Sequence, residues 1–586
     1  MPRAHHSPIT PFAPFTALTL ASGLLLGACV PPDSSPEADT ETSEGTTESP
    51  TPATSGAPPQ TGDSTTDDFA ADGSSSSGSP SSSDSSDDSS STGTEPPSFP
   101  GLQACMEQLV DDPQLSAVAA SVVQGDQIVW SAGFGSRHPD MGGTVDEHTR
   151  FRVASVTKMM TAMAALAQAD NGNLDLDAPM GDVLPPFGDP THPEWIAGMT
   201  TRQLVSHQAG LLDYLTLDGP RGDDALANAV LGPLFTQVPF LVEPGVMWNY
   251  SNANYSVAGM AVEQAASMPY RSVVQQRVFD PLGMDRSTFD VDAVDADGNY
   301  AWGIYGQDLF GAVDYDNGWA RPAGYAWSTA EDLGQLARLL LQGDPAVLSE
   351  ASYQQLMTPQ IDTQLLLDRM HYGLGLFHAD FIPTPDGFLE IDNIDHGGNL
   401  PGYTTLVHVT PELDLGVALV ANGDTLNLYP CVAAALDDLP DFELDPVPPD
   451  NQAELTVLDD YVGDYSDPAF IVGDFSISST PTGLEVSFPE LDALAIPYEP
   501  ALDLYARDNF IFTIQGTGLS LTGIRGDDGS LQYVRTRVFV GHPTPAMMPA
   551  EPRRPDSQLD PQRTRAEIRR LRWDQPSRLA AAVSAR

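Results

Sequence analysis

The alternation of hydrophobic and polar residues predicts β-strands near both ends of a long central segment of the chain. Residues 117–124 and 127–133 form the first predicted pair, joined by a Gly-Asp dipeptide of the kind that turns a tight β-hairpin. Residues 404–410 and 415–421 form a second predicted pair late in the segment.

The stretch between the two strand pairs is predicted to be mostly helical or loop. Helix-like patterns occur at residues 156–170, 201–207, 254–266, 273–279 and 330–341. Strands at both ends with helices between them predict an α+β domain over residues 101–440. In this domain one antiparallel sheet is assembled from both ends of the segment and flanked by helices, with a helical region inserted.

A second, smaller domain is predicted towards the C-terminus. Residues 441–454 are rich in proline and acidic residues and predict a linker. Over residues 455–545 the pattern changes to short strands separated by turns, at residues 470–479, 483–488, 510–515, 519–525 and 531–540. Several short strands at this spacing predict a small β-barrel. Residues 546–586 form a basic tail.

The first hundred residues predict a targeting segment followed by a linker. An apolar run at residues 15–28 follows Arg3 and is too short to span a bilayer comfortably, which is typical of the core of a signal peptide. Residues 30–100 are dominated by Ser, Thr, Pro, Gly and Asp. Because this stretch has almost nothing apolar to bury, we expect it to be a disordered linker.

The apolar run ends in Leu-Gly-Ala followed by Cys29, which resembles a bacterial lipobox. The resemblance implies that residues 1–29 are a lipoprotein signal peptide and that Cys29 carries the lipid. The protein is then expected to be exported and lipid-anchored to the bacterial cell envelope, with its folded domains outside the cytoplasm. An ordinary signal peptide with an incidental cysteine is the alternative.

Two further cysteines, Cys105 and Cys431, lie in short segments with helix-like patterns. Disulfides persist in the compartments that exported proteins reach. We therefore expect these two residues to form a disulfide, and the alternative is a pair of buried thiols.

The chain has 26 Lys and Arg against 81 Asp and Glu, a formal net charge of −55. This balance argues against nucleic acid as a partner, because phosphate binding needs clustered basic side chains. It also argues against docking on an anionic membrane through a basic surface. The 11 histidines form no close-set cluster and no His-Glu-x-x-His sequence occurs, so we expect neither a metal site nor a cofactor.

Lys158 is the only lysine among the 26 basic residues, and it lies in an apolar run that predicts a buried helix. Burial makes the amine available as a proton acceptor, a role that arginine cannot take because its guanidinium stays protonated. Ser155 lies one turn earlier at the helix start, where free backbone N–H groups favour developing negative charge. The pair has the parts of an activated nucleophile, although Ser-x-x-Lys alone is a weak signal.

Two further motifs follow along the chain. A Tyr-Ser-Asn sequence begins at Tyr250, and a His-Gly-Gly-Asn sequence begins at His396, directly before the late strand pair. In this order and at these separations, the three motifs resemble those of the penicillin-recognising serine hydrolases. The nearest branch contains class C β-lactamases, D-alanyl-D-alanine carboxypeptidases, D-aminopeptidases and esterases. Phrases around the motifs match as well, at residues 174–179, 202–211, 328–333 and 372–375.

The resemblance implies a catalytic role for several of the matching residues. Ser155 Oγ attacks a carbonyl carbon and becomes acylated. Lys158 and Tyr250 share the handling of the proton, and the sequence leaves open which of them takes it first. The backbone N–H groups of Ser155 and Asn399 form the oxyanion hole.

The resemblance also implies a set of substrate-binding residues, namely Asn252, which holds a substrate amide, together with His396 and Gly398. His396 stands where related proteins have the lysine of a Lys-Thr-Gly pattern. Because imidazole anchors a carboxylate more weakly than an ammonium group does, we expect a peptidase, carboxypeptidase or esterase more than an efficient β-lactamase. His207 lies in a matching phrase but is predicted to pack within the inserted helical region and not to belong to the site.

Together these observations predict an exported, lipid-anchored serine hydrolase that cleaves an amide or ester bond of a small-molecule or peptide substrate. The protein is expected to be a monomer. The alternative is a non-catalytic protein of the same fold that binds peptidoglycan peptides. Residues 461–465 are similar to the opening of lipocalin-like domains that follow the hydrolase unit in some relatives, which implies a lipocalin-like C-terminal barrel.

Overall fold

The computed structural model describes residues 97–544, with gaps at residues 366–368, 385–386, 425, 441, 444 and 449–451. The predicted signal peptide with Cys29, the linker up to residue 96 and the basic tail from residue 546 lie outside the described residues. Within the described part of the chain, no helix has both the length and the apolar composition needed to cross a membrane.

The secondary-structure elements are numbered here in chain order. The strands are β1 Ala117–Gln124, β2 Gln127–Gly135, β3 Phe151–Arg152, β4 Gly303–Tyr305, β5 Asp308–Phe310, β6 Trp327–Ser328, β7 Ile361–Asp362, β8 Met370–Tyr372, β9 Phe377–Ala379, β10 Ile382–Thr384, β11 Gly387–Leu389, β12 Asn393–Leu400, β13 Tyr403–Thr410, β14 Leu415–Ala421, β15 Gly463–Ser466, β16 Phe475–Thr480, β17 Gly483–Ser487, β18 Ala501–Ala506, β19 Asn509–Ile514, β20 Thr517–Arg525, β21 Leu531–Arg535 and β22 Val540–Pro543. The α-helices are α1 Pro100–Leu109, α2 Thr157–Asp170, α3 Met180–Val183, α4 Pro193–Gly198, α5 Thr201–Val205, α6 Ala225–Val230, α7 Asn252–Ala266, α8 Tyr270–Val274, α9 Asp280–Leu282, α10 Val291–Asp297, α11 Arg321–Gly324, α12 Ala330–Gln342, α13 Glu350–Leu356, α14 Tyr429–Asp437 and α15 Pro489–Ala493.

The central sheet of the described residues has the strand order β2-β1-β14-β13-β12-β9-β8-β7. Because β1 pairs antiparallel with β14, the two ends of the segment meet in one sheet, which confirms the predicted α+β architecture. Residues alternate between the two faces of β1. Val118 and Ala120 pack with α1 and α14, whereas Ala117 and Ala119 belong to the core that contains α2 and α12.

The inserted helical region is built around α2, which was predicted over residues 156–170. Its residues from Thr157 to Gln168 are all buried, because alanine and methionine make the helix apolar on every side. The helix predicted over residues 273–279 differs from the structure: α8 ends at Val274, and one π-helical turn follows over Gln275–Phe279. Pro281 lacks the N–H group needed to continue a regular hydrogen-bond ladder here.

The C-terminal domain is a closed barrel of β15 to β22. Its interior is filled by aromatic rings, among them Phe475, Phe488, Phe512 and Phe539. The strand predicted over residues 531–540 is wrong in one respect, because a turn at residues 536–539 divides it into β21 and β22. The Thr536 hydroxyl accepts the Phe539 N–H at 3.0 Å and so closes the turn, a bond that alternation of hydrophobic residues does not reveal.

Cys105 in α1 and Cys431 in α14 form a disulfide, with Cα atoms 5.5 Å apart. The bond joins the first and last helices of the larger domain. Both helices lie on the face of the sheet opposite to α2 and α12.

Candidate active site

Ser155 lies in a single 3₁₀ turn, Ala154–Val156, between β3 and α2. Ala154 has a φ of 46°, a left-handed conformation that costs about 1–2 kcal/mol for a residue with a Cβ atom. Thr157 stabilises the turn, because its Oγ1 donates to the Ala154 carbonyl at 2.7 Å and accepts the Ala326 N–H at 3.2 Å. The strained turn therefore presents the Ser155 hydroxyl at the N-terminal end of α2.

Lys158 is fully buried one helical turn after Ser155, and its Nζ atom lies close to oxygens of three other residues. Nζ lies 3.0 Å from Ser155 Oγ, 2.7 Å from Asn252 Oδ1 and 2.7 Å from the Ala323 carbonyl oxygen. The amide and carbonyl oxygens can only accept hydrogen bonds. A neutral amine that donates its two N–H groups to these oxygens can direct its lone pair at the Ser155 hydroxyl, and an ammonium group can direct an N–H there. The geometry suits proton transfer between Ser155 and Lys158.

Tyr250 lies just before α7, and its ring contacts two cationic side chains. Lys158 Nζ is 4.8 Å from the ring centroid, and the guanidinium carbon of Arg537 is 4.4 Å from it. Asn252 is the first residue of α7, and its N–H donates to Asp213 Oδ1 at 2.6 Å. This bond satisfies a backbone donor that the helix leaves unpaired and places a negative charge at the positive end of the helix dipole.

His207 packs in the inserted helical region, as predicted, but it also holds the Tyr-Ser-Asn segment. Its ring centroid lies 4.2 Å from that of Tyr250, and its Nδ1 accepts the Ser251 N–H at 3.1 Å. Its carbonyl accepts the Asn249 N–H at 2.8 Å. Burial, reinforced by the nearby positive charge of Lys158, lowers the pKa of His207 well below its usual range. The ring is therefore neutral at neutral pH, and Nδ1 remains a hydrogen-bond acceptor.

His396 is buried on β12, and both of its ring nitrogens bond to other protein groups. Nδ1 donates to the Gly397 carbonyl at 2.6 Å, and in the neutral ring Nε2 accepts from Tyr372 Oη at 3.1 Å. Burial raises the pKa of Tyr372 well above its usual range, so this tyrosine stays a hydroxyl donor. Both ring nitrogens thus have protein partners, and the substrate-binding role that the resemblance implies for His396 stays a prediction.

Strand β12 approaches the nucleophile turn so closely that residue 398 must be glycine. A Cβ atom on Gly398 would lie 2.3 Å from the Val153 carbonyl oxygen and 3.0 Å from the Ser155 backbone nitrogen. Asn399 follows on the same strand, and its side-chain oxygen accepts from Thr404 Oγ1 at 3.1 Å. Ser155 and Asn399 thus lie on adjoining segments, as an oxyanion hole requires, and the assignment of their N–H groups stays a prediction.

The predicted site residues fall into two groups. The structure brings together Ser155, Lys158, Tyr250, Asn252, His396, Gly398 and Asn399, whereas Cys105 and Cys431 lie on the other face of the sheet and Cys29 lies outside the described residues.

Two residues of the site, Asp213 and Arg537, were not predicted. Arg537 lies in the turn between β21 and β22, and its Nε donates to Asp213 Oδ2 at 2.8 Å. The two residues are 324 positions apart and belong to no recognised motif, so no local spacing could have indicated the pair.

The Beta-lactamase family model matches residues 102–440 of the chain. The chain is 27% identical over 346 residues to the human protein Putative beta-lactamase-like 1. The matched region covers 57% of this chain and 66% of that protein. The chain is also 29% identical over 320 residues to Penicillin-binding protein 4 of Amycolatopsis lactamdurans. This match covers 52% of this chain and 80% of that protein.

Among solved structures, that of SurE with D-Leu shares the fold, with a TM-score of 0.56 and 22% sequence identity. The match covers 76% of this chain and 99% of the SurE chain. The chain spans 56–66% of the length of the first curated relatives it matches.

Proposed function

The chain belongs to the beta-lactamase family, and we propose that it is a serine hydrolase in which Ser155 forms an acyl-enzyme with an amide or ester substrate. The proposal is carried by the contact of 3.0 Å between Ser155 Oγ and Lys158 Nζ, an amine that also bonds to the Asn252 and Ala323 oxygens, which can only accept. A hydroxyl next to a buried amine at a helix start is an arrangement that activates a nucleophile.

The reaction follows from these contacts in two steps. Ser155 Oγ bonds to the substrate carbonyl carbon and its proton passes to the Lys158 and Tyr250 pair, while the carbonyl electron pair moves onto oxygen. When that oxyanion collapses, the bond to the leaving amine or alkoxide breaks and the leaving group takes the proton. Water then attacks the acyl-enzyme and gives a proton to the same pair, after which Ser155 regains its hydrogen and the acid product leaves.

A peptidase, carboxypeptidase or esterase is proposed in preference to an efficient β-lactamase. A lysine at position 396 would offer a full charge to a substrate carboxylate, whereas His396 is buried and bonded to Tyr372 and Gly397. An imidazole with both nitrogens engaged by other protein groups adds little attraction for a carboxylate.

Active-site labelling tests the hydrolase proposal. Wild type and Ser155→Ala should be treated with a fluorescent fluorophosphonate and assayed on nitrocefin, p-nitrophenyl esters and D-alanyl peptides. We expect labelling and hydrolysis of at least one substrate by wild type alone. No more labelling or hydrolysis by wild type than by Ser155→Ala would contradict the proposal, and the absence of both from wild type would favour a binding protein of the same fold.

We further propose that the chain is exported and lipid-anchored through Cys29, on the strength of its lipobox-like sequence. Metabolic labelling with a fatty acid should mark the wild-type protein and not Cys29→Ala. Equal labelling of the two, or labelling of neither, would contradict the anchor.

A further inference from the structure

The C-terminal barrel places one arginine in direct contact with the candidate catalytic residues. Arg537 lies in the turn between β21 and β22, with its guanidinium carbon 4.4 Å from the centroid of the Tyr250 ring. Its Nε donates to Asp213 Oδ2 at 2.8 Å, and the two side chains are only 12% and 11% exposed. An ion pair with so little solvent around it is screened less than a surface pair.

The carboxylate of Asp213 connects this arginine to the catalytic lysine. Its second oxygen accepts the Asn252 N–H at 2.6 Å, and Asn252 Oδ1 accepts from Lys158 Nζ at 2.7 Å. A chain of three hydrogen bonds therefore runs from the barrel to the amine that faces Ser155. Displacing Arg537 would release the Asp213 carboxylate and, through it, the start of α7.

The barrel holds Arg537 in a fixed position. Thr536 closes the turn through its hydroxyl, and Arg535 donates to the carbonyls of Trp248 at 2.5 Å and Thr363 at 2.8 Å. Tyr505 of β18 also packs in the hydrophobic cluster that contains Tyr250. The contacts of Arg535 and Tyr505 therefore dock the barrel next to the Tyr-Ser-Asn segment.

The positive charge of Arg537 also favours the phenolate form of Tyr250 over the neutral phenol. A cation over an aromatic ring attracts a neutral phenol weakly and a phenolate strongly. The titratable and charged groups around the ring include Lys158, His207, Tyr372, His396 and Arg537, with Asp213 bonded to the arginine. Burial keeps His207 neutral, whereas Lys158 and Arg537 bring cationic groups to 4.8 and 4.4 Å from the ring centroid.

We infer that Arg537 is a positioning residue supplied by the barrel, which fixes Tyr250 and Asn252 and stabilises the phenolate that accepts a proton. The larger domain is then catalytically incomplete without the barrel. The inference rests on the proposed hydrolase function, since it concerns the same acylation step.

The test compares Arg537→Gln, Arg537→Lys and Arg525→Gln in the full chain. Arg525 is a matched control because it is also a barrel arginine with an ion pair, to Asp508 at 2.8 Å, and a ring contact, to Tyr461 at 5.9 Å. The rate constant for fluorophosphonate labelling of Ser155 and the kcat and KM for a p-nitrophenyl ester are measured at several pH values.

We expect Arg537→Gln to lower the labelling rate and kcat by roughly 10- to 100-fold, with KM changed by less than about threefold, because positioning acts on the reacting geometry. Activity should rise with pH as Tyr250 loses its proton, and in Arg537→Gln the midpoint of this rise should shift to higher pH. Arg537→Lys restores the charge and should recover part of both effects, while Arg525→Gln should keep the wild-type rate within about twofold.

The two proposals fail in different ways. A wild-type chain that is neither labelled nor active contradicts the hydrolase function, and this inference with it. A wild-type chain that is labelled while Arg537→Gln is labelled at the same rate, with the same pH midpoint, contradicts the positioning role alone. Should Arg537→Gln lose its circular dichroism signal, Asp213→Asn breaks the same connection while leaving the barrel sequence intact, and an unchanged rate in that variant overturns the inference.

Discussion

At the residue scale, the protonation of Lys158 is governed by two opposing effects. Full burial disfavours the ammonium form, whereas the close oxygens of Asn252 and Ala323 favour it by accepting hydrogen bonds. A lysine that changes between the two forms can take the proton of Ser155 and later return it. Arginine would keep its proton, which explains why a chain that otherwise uses arginine for positive charge has a lysine at this position.

Lys158→Arg is therefore expected to fold and yet to be nearly inactive. Loss of a proton acceptor lowers the rate by roughly 10²–10⁴-fold. Fluorophosphonate labelling and ester hydrolysis measure the loss, with circular dichroism and the melting temperature as controls for folding. A folded variant with activity within about threefold of wild type would show that Tyr250 alone manages the proton.

The contact between Ser155 and Lys158 was predictable because helix geometry brings residues three positions apart onto one face. Asp213 and Arg537 were not, because their contact depends on how the barrel packs against the larger domain. His207 was predictable in part. It lies in a sequence segment that matches the family, but only the structure shows that its Nδ1 accepts the Ser251 N–H.

At the scale of elements, the bounds of the helix α12 were predicted closely, but the burial of an acidic side chain in its first turn was not. Asp332 lies in that turn and accepts from Ser287 Oγ at 2.7 Å and from the Arg286 N–H at 3.0 Å. Burial raises the pKa of Asp332 to about 6. The periodicity that marks α12 in the sequence contains no information about this environment, because the partners come from a loop more than forty residues earlier.

This carboxyl group makes stability depend on pH. Since its folded pKa of about 6 lies above the unfolded value of about 3.9, the native state binds more protons between those pH values, and its stability contribution falls as pH rises through that window. Asp332→Asn keeps the acceptor and removes the charge. The variant should therefore gain stability relative to wild type as the pH rises. The difference in unfolding free energy, variant minus wild type, should be larger at pH 7.5 than at pH 4.5 by up to about 3 kcal/mol. Urea unfolding at the two pH values measures the difference, and an equal difference at both would contradict the assigned burial effect.

The barrel shows a different limit at the same scale. Hydrophobic alternation predicted a single strand over residues 531–540, and the residues on either side of the break do pair, Arg535 with Val540. What the pattern missed is a short turn held by the Thr536 hydroxyl. That turn carries Arg537, so the local error concealed a contact with the active site.

At the scale of the whole molecule, the fold brings distant parts of an acidic chain together. The pairing of β1 with β14 was predictable, because both strands show clear hydrophobic patterns and a sheet needs partners for each. The docking of the barrel on the Tyr-Ser-Asn segment was not, since it depends on surfaces formed only after both domains fold. The net charge of −55 argues against polyanionic partners but does not describe the site, where Lys158 and Arg537 both contact one ring.

The disulfide between Cys105 and Cys431 tests whether stability and catalysis are separable in this molecule. It closes a loop with a sequence separation of 326 and joins α1 to α14 on the face of the sheet away from α2. Its removal in the double variant Cys105→Ala/Cys431→Ala frees the unfolded chain and should lower the free energy of unfolding by about 2–5 kcal/mol. The labelling rate of Ser155, measured well below the melting temperature, should stay within about twofold of wild type, because the catalytic contacts lie in the other core. Wild type treated with dithiothreitol should show the same loss of stability. A large loss of labelling in a folded double variant would instead show that strain on α1 and α14 reaches the nucleophile turn through the sheet.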